Sequence, residues 1–202
     1  EACEFLEKIY GFEHRAFKEE LFTDTINLFG VTRDWFMDGY QSRATKDAPE
    51  SALNGMSRRS ALIYTSEDVM KPKHGSDYYG KRTAEKLNGV TDYCFSDGGF
   101  ESEVSQVINT LGKDNICIVQ IFREKCTFSS DSRNYLNGIL QEEYVLGYSS
   151  EKLNAGRPSL PIRLYQIHNN GSITDFHQAI RKIIGKELNV TREKSTIFRE
   201  SV

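Results

Sequence analysis

The sequence lacks several features that would assign the protein to a class at once. No apolar run reaches the roughly eighteen residues that a membrane-spanning helix needs. Gly98-Gly99 lacks the flanking lysine of a phosphate-binding loop and reads as a turn. The histidines show no paired spacing, and the cysteines are too widely separated for a zinc motif. We therefore predict no membrane span, no metal, no cofactor, and a cytoplasmic protein with reduced thiols.

Positive charge is also scarce. The chain has 26 lysines and arginines against 29 aspartates and glutamates, for a formal net charge of −3. The first sixty residues are acid-rich, which opposes wholesale attraction to nucleic acid. The basic residues that we predict to contact phosphate in this region are Arg33, Arg43, Arg58 and Arg59.

The most informative stretch runs from Leu28 to Gly39. Gly30 suits the left-handed position after a helix C-terminus, and Thr32 is a good N-cap for a second helix. We expect an amphipathic helix over residues 13–29, with Glu19, Glu20 and Asp24 toward water, and a short second helix that Gly39 ends. Trp35 and Phe36 would pack back on the first helix. The stretch predicts a helical corner with its own small core.

This corner resembles the last two helices of the Cro/C1-type (XRE) helix-turn-helix domain of bacterial and phage repressors. The resemblance covers about the first forty residues. The matching residues are Leu28, Phe29, Gly30, Val31, Thr32, Asp34, Trp35, Phe36 and Gly39. It implies a transcriptional regulator that binds DNA through its helical N-terminal region.

Two alignments with that family are open. In the first, residues 1–10 form the recognition helix, and the earlier helices of the domain are missing, as in a fragment or a member cut back to its regulatory half. In the second, the corner itself is the helix-turn-helix, with Gly30 at the turn; Ile26 then stands where the motif usually has alanine. A helical corner that has no role in DNA binding is the third interpretation.

The rest of the chain predicts an α+β domain over residues 57–202, after a helical lead-in over 1–40 and a polar linker over 41–56. We expect one mixed or antiparallel sheet with packed helices, and the strand at 116–122 covered on both faces. The predicted strands are 60–65, 116–122, 143–148, 162–168 and 172–174, and the predicted helices are 77–87, 101–111, 134–139 and 175–184.

Three functional hypotheses follow for this domain. In the first, it binds an effector and holds a homodimer, with Tyr78, Tyr79, Tyr93 and His168 as candidate ligand-binding residues. In the second, it is an enzyme with a dispersed active site at Cys94, His168 and His177, although no residue is assigned a catalytic role. In the third, the strand at 162–168 accepts a partner strand, as in an interaction module.

The first hypothesis agrees best with the resemblance. A regulator would shift between dimer geometries when its effector, a small molecule or a protein, prefers one of them. The spacing of the two DNA-reading elements would change with that shift.

Overall fold

The computed structural model describes residues 1–126 and 162–199, with side chains up to 187 except that of Arg43. Helices outnumber strands in this part. The α-helices are α1 (Ala2–Tyr10), α2 (Lys18–Phe29), α3 (Arg33–Gln41), α4 (Arg43–Lys46), α5 (Arg58–Tyr64), α6 (Lys71–His74), α7 (Tyr78–Ala84), α8 (Glu101–Leu111) and α9 (Ile173–Arg199). A π-helix, Thr65–Met70, joins α5 to α6, and Ser51–Leu53 and Lys113–Asn115 are 3-10 turns. The strands are β1 (Glu13–Arg15), β2 (Tyr93–Phe95), β3 (Cys117–Phe122) and β4 (Arg163–His168).

The α+β class is confirmed, but the sheet differs from the expectation. The described strands form two separate parallel pairs, β1 with β2 and β3 with β4, instead of one mixed or antiparallel sheet. Long stretches of chain separate the members of each pair, and such connections permit parallel pairing. β3 is also less covered than predicted, because Val119 and Ile121 remain about two-fifths exposed (38% and 41%).

The helical corner forms as its residues predict. Gly30 has φ 65°, a left-handed conformation, and its N–H and that of Val31 bond to the carbonyl of Ile26. The Thr32 hydroxyl accepts a hydrogen bond of 3.4 Å from the N–H of Trp35 and so caps α3. The core of the corner is Phe22, Phe36, Leu53, Ala61 and Leu62. The helix α5 thus packs against both α2 and α3 and completes the core of the corner.

Arg58 holds this corner together from inside. Its guanidinium lies 4.2 Å from the centre of the Trp35 ring and donates to the carbonyls of Trp35 and Phe36. It also forms an ion pair of 2.6 Å with Glu50. The prediction that Gly39 ends α3 is wrong, because the helix continues to Gln41. A Cβ at position 39 would overlap the Arg58 guanidinium, so the glycine makes room for Arg58.

The start of α2 also differs from the prediction. Residues 13–15 form strand β1, and α2 begins only at Lys18. The Asp97 carboxylate accepts hydrogen bonds from the N–H groups of Phe17 and Lys18, at 2.9 and 3.0 Å. Because the carboxylate that satisfies this helix N-terminus comes from the turn after β2, local periodicity does not reveal where α2 starts.

The polar segment 41–56, predicted as a linker, is part of the corner. It contains α4 and the turn Ser51–Leu53, and Leu53 is fully buried. The segment 60–65, predicted as a strand, lies in α5 and the start of the π-helix. The β-branched and aromatic residues of this segment have a propensity for strands. A helix forms instead, and the Ser57 hydroxyl caps it by accepting a hydrogen bond from the N–H of Ser60.

A second core joins the two ends of the described chain. Phe5 of α1 packs with Ile167 of β4 and with the inner face of α9. The strands predicted around 116–122 and 162–168 and the helix 101–111 are confirmed. α9 begins at Ile173, in place of the predicted strand 172–174, and continues past Gly185 to Arg199. The predicted elements at 134–139 and 143–148 lie outside the described residues.

We predict that Arg58→Ala lowers the free energy of unfolding by about 3 kcal/mol, because it leaves Glu50 without its buried partner and a cavity under Trp35. Arg59→Ala is the matched control: Arg59 pairs with Asp47 on the surface, 2.7 Å away, and its loss is expected to cost less than about 1 kcal/mol. Urea denaturation of both variants measures the difference. Equal losses would contradict the role given to Arg58.

A second prediction concerns Tyr165, whose hydroxyl donates to the Glu187 carboxylate at 2.8 Å. This bond, with burial, raises the Tyr165 pKa from about 10 to about 12. A pKa that is higher in the folded state stabilises the fold below the unfolded pKa, and the contribution disappears as the pH rises to the folded value. The stability difference between the wild type and Tyr165→Phe should therefore shrink between pH 10 and pH 12. Urea midpoints at several alkaline pH values test this, and a constant difference would contradict it.

Candidate functional site

An ionic cluster with two buried carboxylates joins α2 to α7. Arg82 of α7 contacts the carboxylates of Glu20 and Asp24, at 2.8 and 2.6 Å, and Lys86 contacts Glu20 as well. Glu20 is 5% exposed and Asp24 is 8% exposed. The prediction that these two carboxylates face water is wrong. Buried carboxylates need such cationic partners, so the cluster fixes α2 against α7.

The tyrosines of α7 flank this cluster. The Tyr78 hydroxyl accepts a hydrogen bond of 3.1 Å from Arg82. Tyr79 is buried, and its hydroxyl has no hydrogen-bond partner within the part of the chain that is described. Burial, together with the negative charge of Asp24, raises the Tyr79 pKa. Both rings therefore belong to the α2–α7 packing.

A polar cleft of about 300 Å³ opens beside the cluster, between β1, α2 and α7. We call it the Thr83 cleft. The residues that line it are His14, Arg15, Ala16, Glu19, Glu20, Thr83 and Lys86. Its volume is at the lower end of the range of small-molecule sites.

Two buried hydrogen-bond donors on residues that line the Thr83 cleft have no acceptor among the described residues. One is the hydroxyl of Thr83, a residue that is 5% exposed, and the other is the Nε atom of Arg15. Another guanidinium nitrogen of Arg15, Nη2, pairs with Glu13. Glu20 Oε2, an acceptor on another lining residue, is also buried without a hydrogen bond, although it lies 2.8 Å from Arg82. Because most buried polar groups in proteins are hydrogen-bonded, these unsatisfied donors and this acceptor single out the cleft as the candidate site.

The cleft is linked directly to the helical corner. Glu19, in its wall, binds Arg33 with a distance of 2.6 Å between Oε2 and Nη2. Arg33 is the first residue of α3. A change at Glu19 therefore reaches the corner through one ion pair, which joins two side chains that are both about half exposed.

The arginines predicted to bind DNA have different surroundings. Arg33 and Arg59 are exposed and paired with Glu19 and Asp47. Arg58 is 4% exposed and hydrogen-bonded inside the corner, so its guanidinium is not accessible to phosphate. Its role is to stabilise the corner, not to contact DNA as predicted. The side chain of Arg43 lies outside the described part.

The first helix does not present a basic face. α1 packs its apolar side against α9, and its exposed residues are Glu4, Glu7, Lys8 and Ile9. A face with one basic group and two acidic groups does not favour phosphate, which weakens the alignment in which residues 1–10 form the recognition helix.

The residues predicted to bind an effector do not form one site. Tyr78 and Tyr79 contact each other on α7, with ring centres 5.0 Å apart. Tyr93 lies on β2, where its hydroxyl accepts from the N–H of Asn88. His168, at the end of β4, stacks on Phe122. None of the four lines the Thr83 cleft.

The residues of the enzyme hypothesis have separate partners as well. The Cys94 thiol faces the carbonyl of Cys3, with 3.8 Å between Sγ and O. His177 stacks on Phe5, with ring centres 4.2 Å apart, and pairs with Glu1. Neither contact involves His168. A nucleophile and its base must be within hydrogen-bond reach, and no described contact supplies that geometry.

Among the described residues, no group of three or more histidine, cysteine, aspartate or glutamate side chains is arranged to hold a metal ion. No helix in the same part combines the length and apolarity that crossing a bilayer requires.

The site residues that sequence reasoning missed are Arg15, Glu19, Glu20, Thr83 and Lys86. One pattern could have indicated part of the set. Glu20 and Asp24 are four residues apart on α2, and Arg82 and Lys86 are four residues apart at the α7 end, so complementary charges could face each other. Arg15 and Thr83 carry no comparable pattern.

We predict that the thiols differ sharply in reactivity. Burial raises the pKa values of Cys94 and Cys117 to about 12, and that of Cys3 is raised as well, while Cys126 is exposed. Because the thiolate is the nucleophile, iodoacetamide at pH 8 should modify Cys126 first, as measured by mass spectrometry of tryptic peptides. Unfolding in urea should equalise the four rates. Modification of Cys94 as fast as Cys126 in the folded protein would instead favour the enzyme hypothesis.

Comparisons of this chain with protein-family models, with curated proteins and with solved structures give no match. The resemblance of the corner to repressor domains therefore stays a prediction, and the Thr83 cleft is interpreted from its own geometry.

Proposed function

We propose that the chain is the ligand-responsive part of a transcriptional regulator, in which a small molecule in the Thr83 cleft acts on the helical corner. The observation that carries the proposal is the ion pair between Glu19, in the wall of the cleft, and Arg33, at the start of α3. Arg33 is also one of the residues predicted to contact DNA. A ligand that engages Glu19 would release Arg33 for phosphate.

The ion pair between Glu19 and Arg33 is weak enough for a ligand to break. An exposed ion pair such as this one contributes about 0.2–1 kcal/mol, so a ligand can compete for Glu19 without disturbing the fold. The corner core and the Arg82 cluster stay intact in both states, because neither depends on Arg33. The ligand shifts the population by no more than its difference in affinity for the two states.

A homodimer belongs to the same proposal. Leu28 of α2 and Ile63 and Tyr64 of α5 are 43%, 55% and 40% exposed, which leaves apolar surface on the outside of the corner. A second copy of the chain could cover this surface. Sedimentation equilibrium of the wild type against Ile63→Lys would detect a dimer that depends on it.

DNA binding tests the proposal directly. Fluorescence anisotropy should compare DNA from upstream of the gene with unrelated DNA of equal length, across a salt series, using the full gene product. Arg33→Gln is expected to weaken binding and to lower the salt slope by about one phosphate contact. Glu19→Gln is expected to strengthen binding, because it frees Arg33.

Glu85→Gln is the matched control, since it removes the same charge from α7's C-terminal end without touching Arg33. It should leave the affinity close to the wild type. Binding that is no stronger than on unrelated DNA, or equal effects of Glu19→Gln and Glu85→Gln, would overturn the proposal.

A further inference from the structure

We infer that two copies of the chain pair through the exposed side of α5 and the π-helix, with these helices antiparallel about a two-fold axis between Ile63 and Tyr64. The inference deepens the proposed function, because it rests on the homodimer proposed there and specifies how the two copies meet. The evidence is the order of charged and apolar side chains along this surface.

The exposed side of this continuous helix is a narrow surface, which we call the α5 stripe. It consists of six exposed residues in three neighbouring pairs: Arg59 with Ser60, Ile63 with Tyr64, and Glu67 with Asp68. The residues between these pairs are buried, namely Ala61, Leu62, Thr65 and Ser66. The stripe is therefore the outer side of a helix whose inner side is fixed in the protein.

The π-helix keeps the α5 stripe straight. In an α-helix with 3.6 residues per turn, positions four residues apart drift around the axis by about 40°. A π-helix, whose hydrogen bonds join residues i and i+5, has more residues per turn and so reduces this drift. Because Thr65–Met70 is a π-helix, Glu67 and Asp68 stay on the same side as Arg59.

The charges of the α5 stripe are separated along the helix axis. Arg59 lies at its N-terminal end and Asp68 at its C-terminal end, with the apolar pair between them. Nine residues of helix, about 13 Å, separate the two charged residues, so they do not meet within one copy. In an antiparallel pair of identical helices, the two-fold axis brings Arg59 of each copy opposite Asp68 of the other. The stripe is thus complementary to itself.

The other positions of the α5 stripe match under the same symmetry. The axis brings Ser60 opposite Glu67, where a hydroxyl can donate to a carboxylate, and it brings Ile63 opposite Tyr64. No position of the stripe therefore faces a like charge. A parallel arrangement would instead place each charge beside its own copy, where like charges repel.

Both charged ends can take a new partner. Asp68 has no ion pair with any described residue. Asp47 accepts a hydrogen bond from Nε of Arg59 at 2.7 Å. Because a guanidinium carries five N–H donors, the Nη groups of Arg59 can donate to a second carboxylate while Asp47 stays bound.

The apolar centre of the α5 stripe is widened by the end of α2. Leu28 is exposed, and the ring of Phe29 lies 6.4 Å from that of Tyr64. An apolar centre with a polar rim is typical of protein interfaces. The stripe has fewer residues than the roughly 20–30 per partner of a standard interface, so we expect a weak dimer with a Kd of about 10–100 μM.

Sedimentation equilibrium of the full chain tests the inference through an exchange of charges. Arg59→Glu and Asp68→Lys each bring like charges together at both ends of the interface. Each variant alone should therefore dimerise at least about tenfold more weakly than the wild type.

An equimolar mixture of the two variants should form a heterodimer with a Kd within about threefold of the wild type. In that heterodimer the introduced acid faces the introduced base, and the unchanged Arg59 and Asp68 face each other at the other end. A variant that had merely unfolded would not recover on mixing. Glu85→Lys, on α7, makes the same change of charge as Asp68→Lys outside the stripe and should leave dimerisation unchanged.

Three results would overturn the inference. The first is a monomer up to about 0.5 mM, which would assign the α5 stripe to a different partner. The second is a dimer that neither charge variant weakens, and the third is a mixture of the variants that stays as weak as each alone.

Failure of the proposed function gives a different result. Recovery on mixing without specific DNA binding would reject the regulator and keep the interface. Specific DNA binding by a dimer that Ile63→Lys disrupts, but that the charge variants leave unchanged, would reject the antiparallel pairing alone.

Discussion

The pairing of two buried carboxylates with one guanidinium is the constraint on which the rest of this structure depends. Glu20 and Asp24 lie on the face of α2 opposite the corner core, and Arg82 holds both of them to α7. Without a cation at that place, the desolvation of two adjacent carboxylates would drive α2 away from α7. The cluster borders the Thr83 cleft, whose walls are these two helices and β1.

α2 consequently serves two cores at once. Its apolar side, through Phe22, completes the corner with α3 and α5, while its charged side meets α7. Glu19 lies beside these two contacts and reaches Arg33 across the corner. The short path from cleft to corner is what makes a ligand effect on α3 physically reasonable, because it requires exchange of one exposed ion pair and no repacking.

The sequence predicted those features that local chemistry determines. Gly30 and Thr32 specify the corner because a left-handed C-cap and a side-chain N-cap need only neighbouring residues. The helix at 101–111 and the strands near 116–122 and 162–168 follow from periodicity and apolar runs. These elements account for the confirmed α+β class.

The features that were missed depend on residues far apart in the chain. Gly39 was expected to end α3, but Arg58, nineteen positions later, occupies the space above it. The N-terminus of α2 is capped by Asp97, and Glu20 and Asp24 are buried because Arg82 is opposite. Such pairings leave no pattern among neighbouring residues. For the same reason, the aromatic residues predicted to contact a ligand proved to be dispersed, and Arg15 and Thr83 were not predicted as site residues.

A double-mutant cycle between Asp24 and Arg82 tests the central claim most directly. The free energies of unfolding of the wild type, Asp24→Asn, Arg82→Gln and the double variant give the coupling between the two side chains. We predict a favourable coupling above about 1 kcal/mol, because Asp24 is buried and hydrogen-bonded to Arg82 at 2.6 Å. A coupling near zero would show that α2 and α7 do not depend on this ion pair, and it would contradict the account.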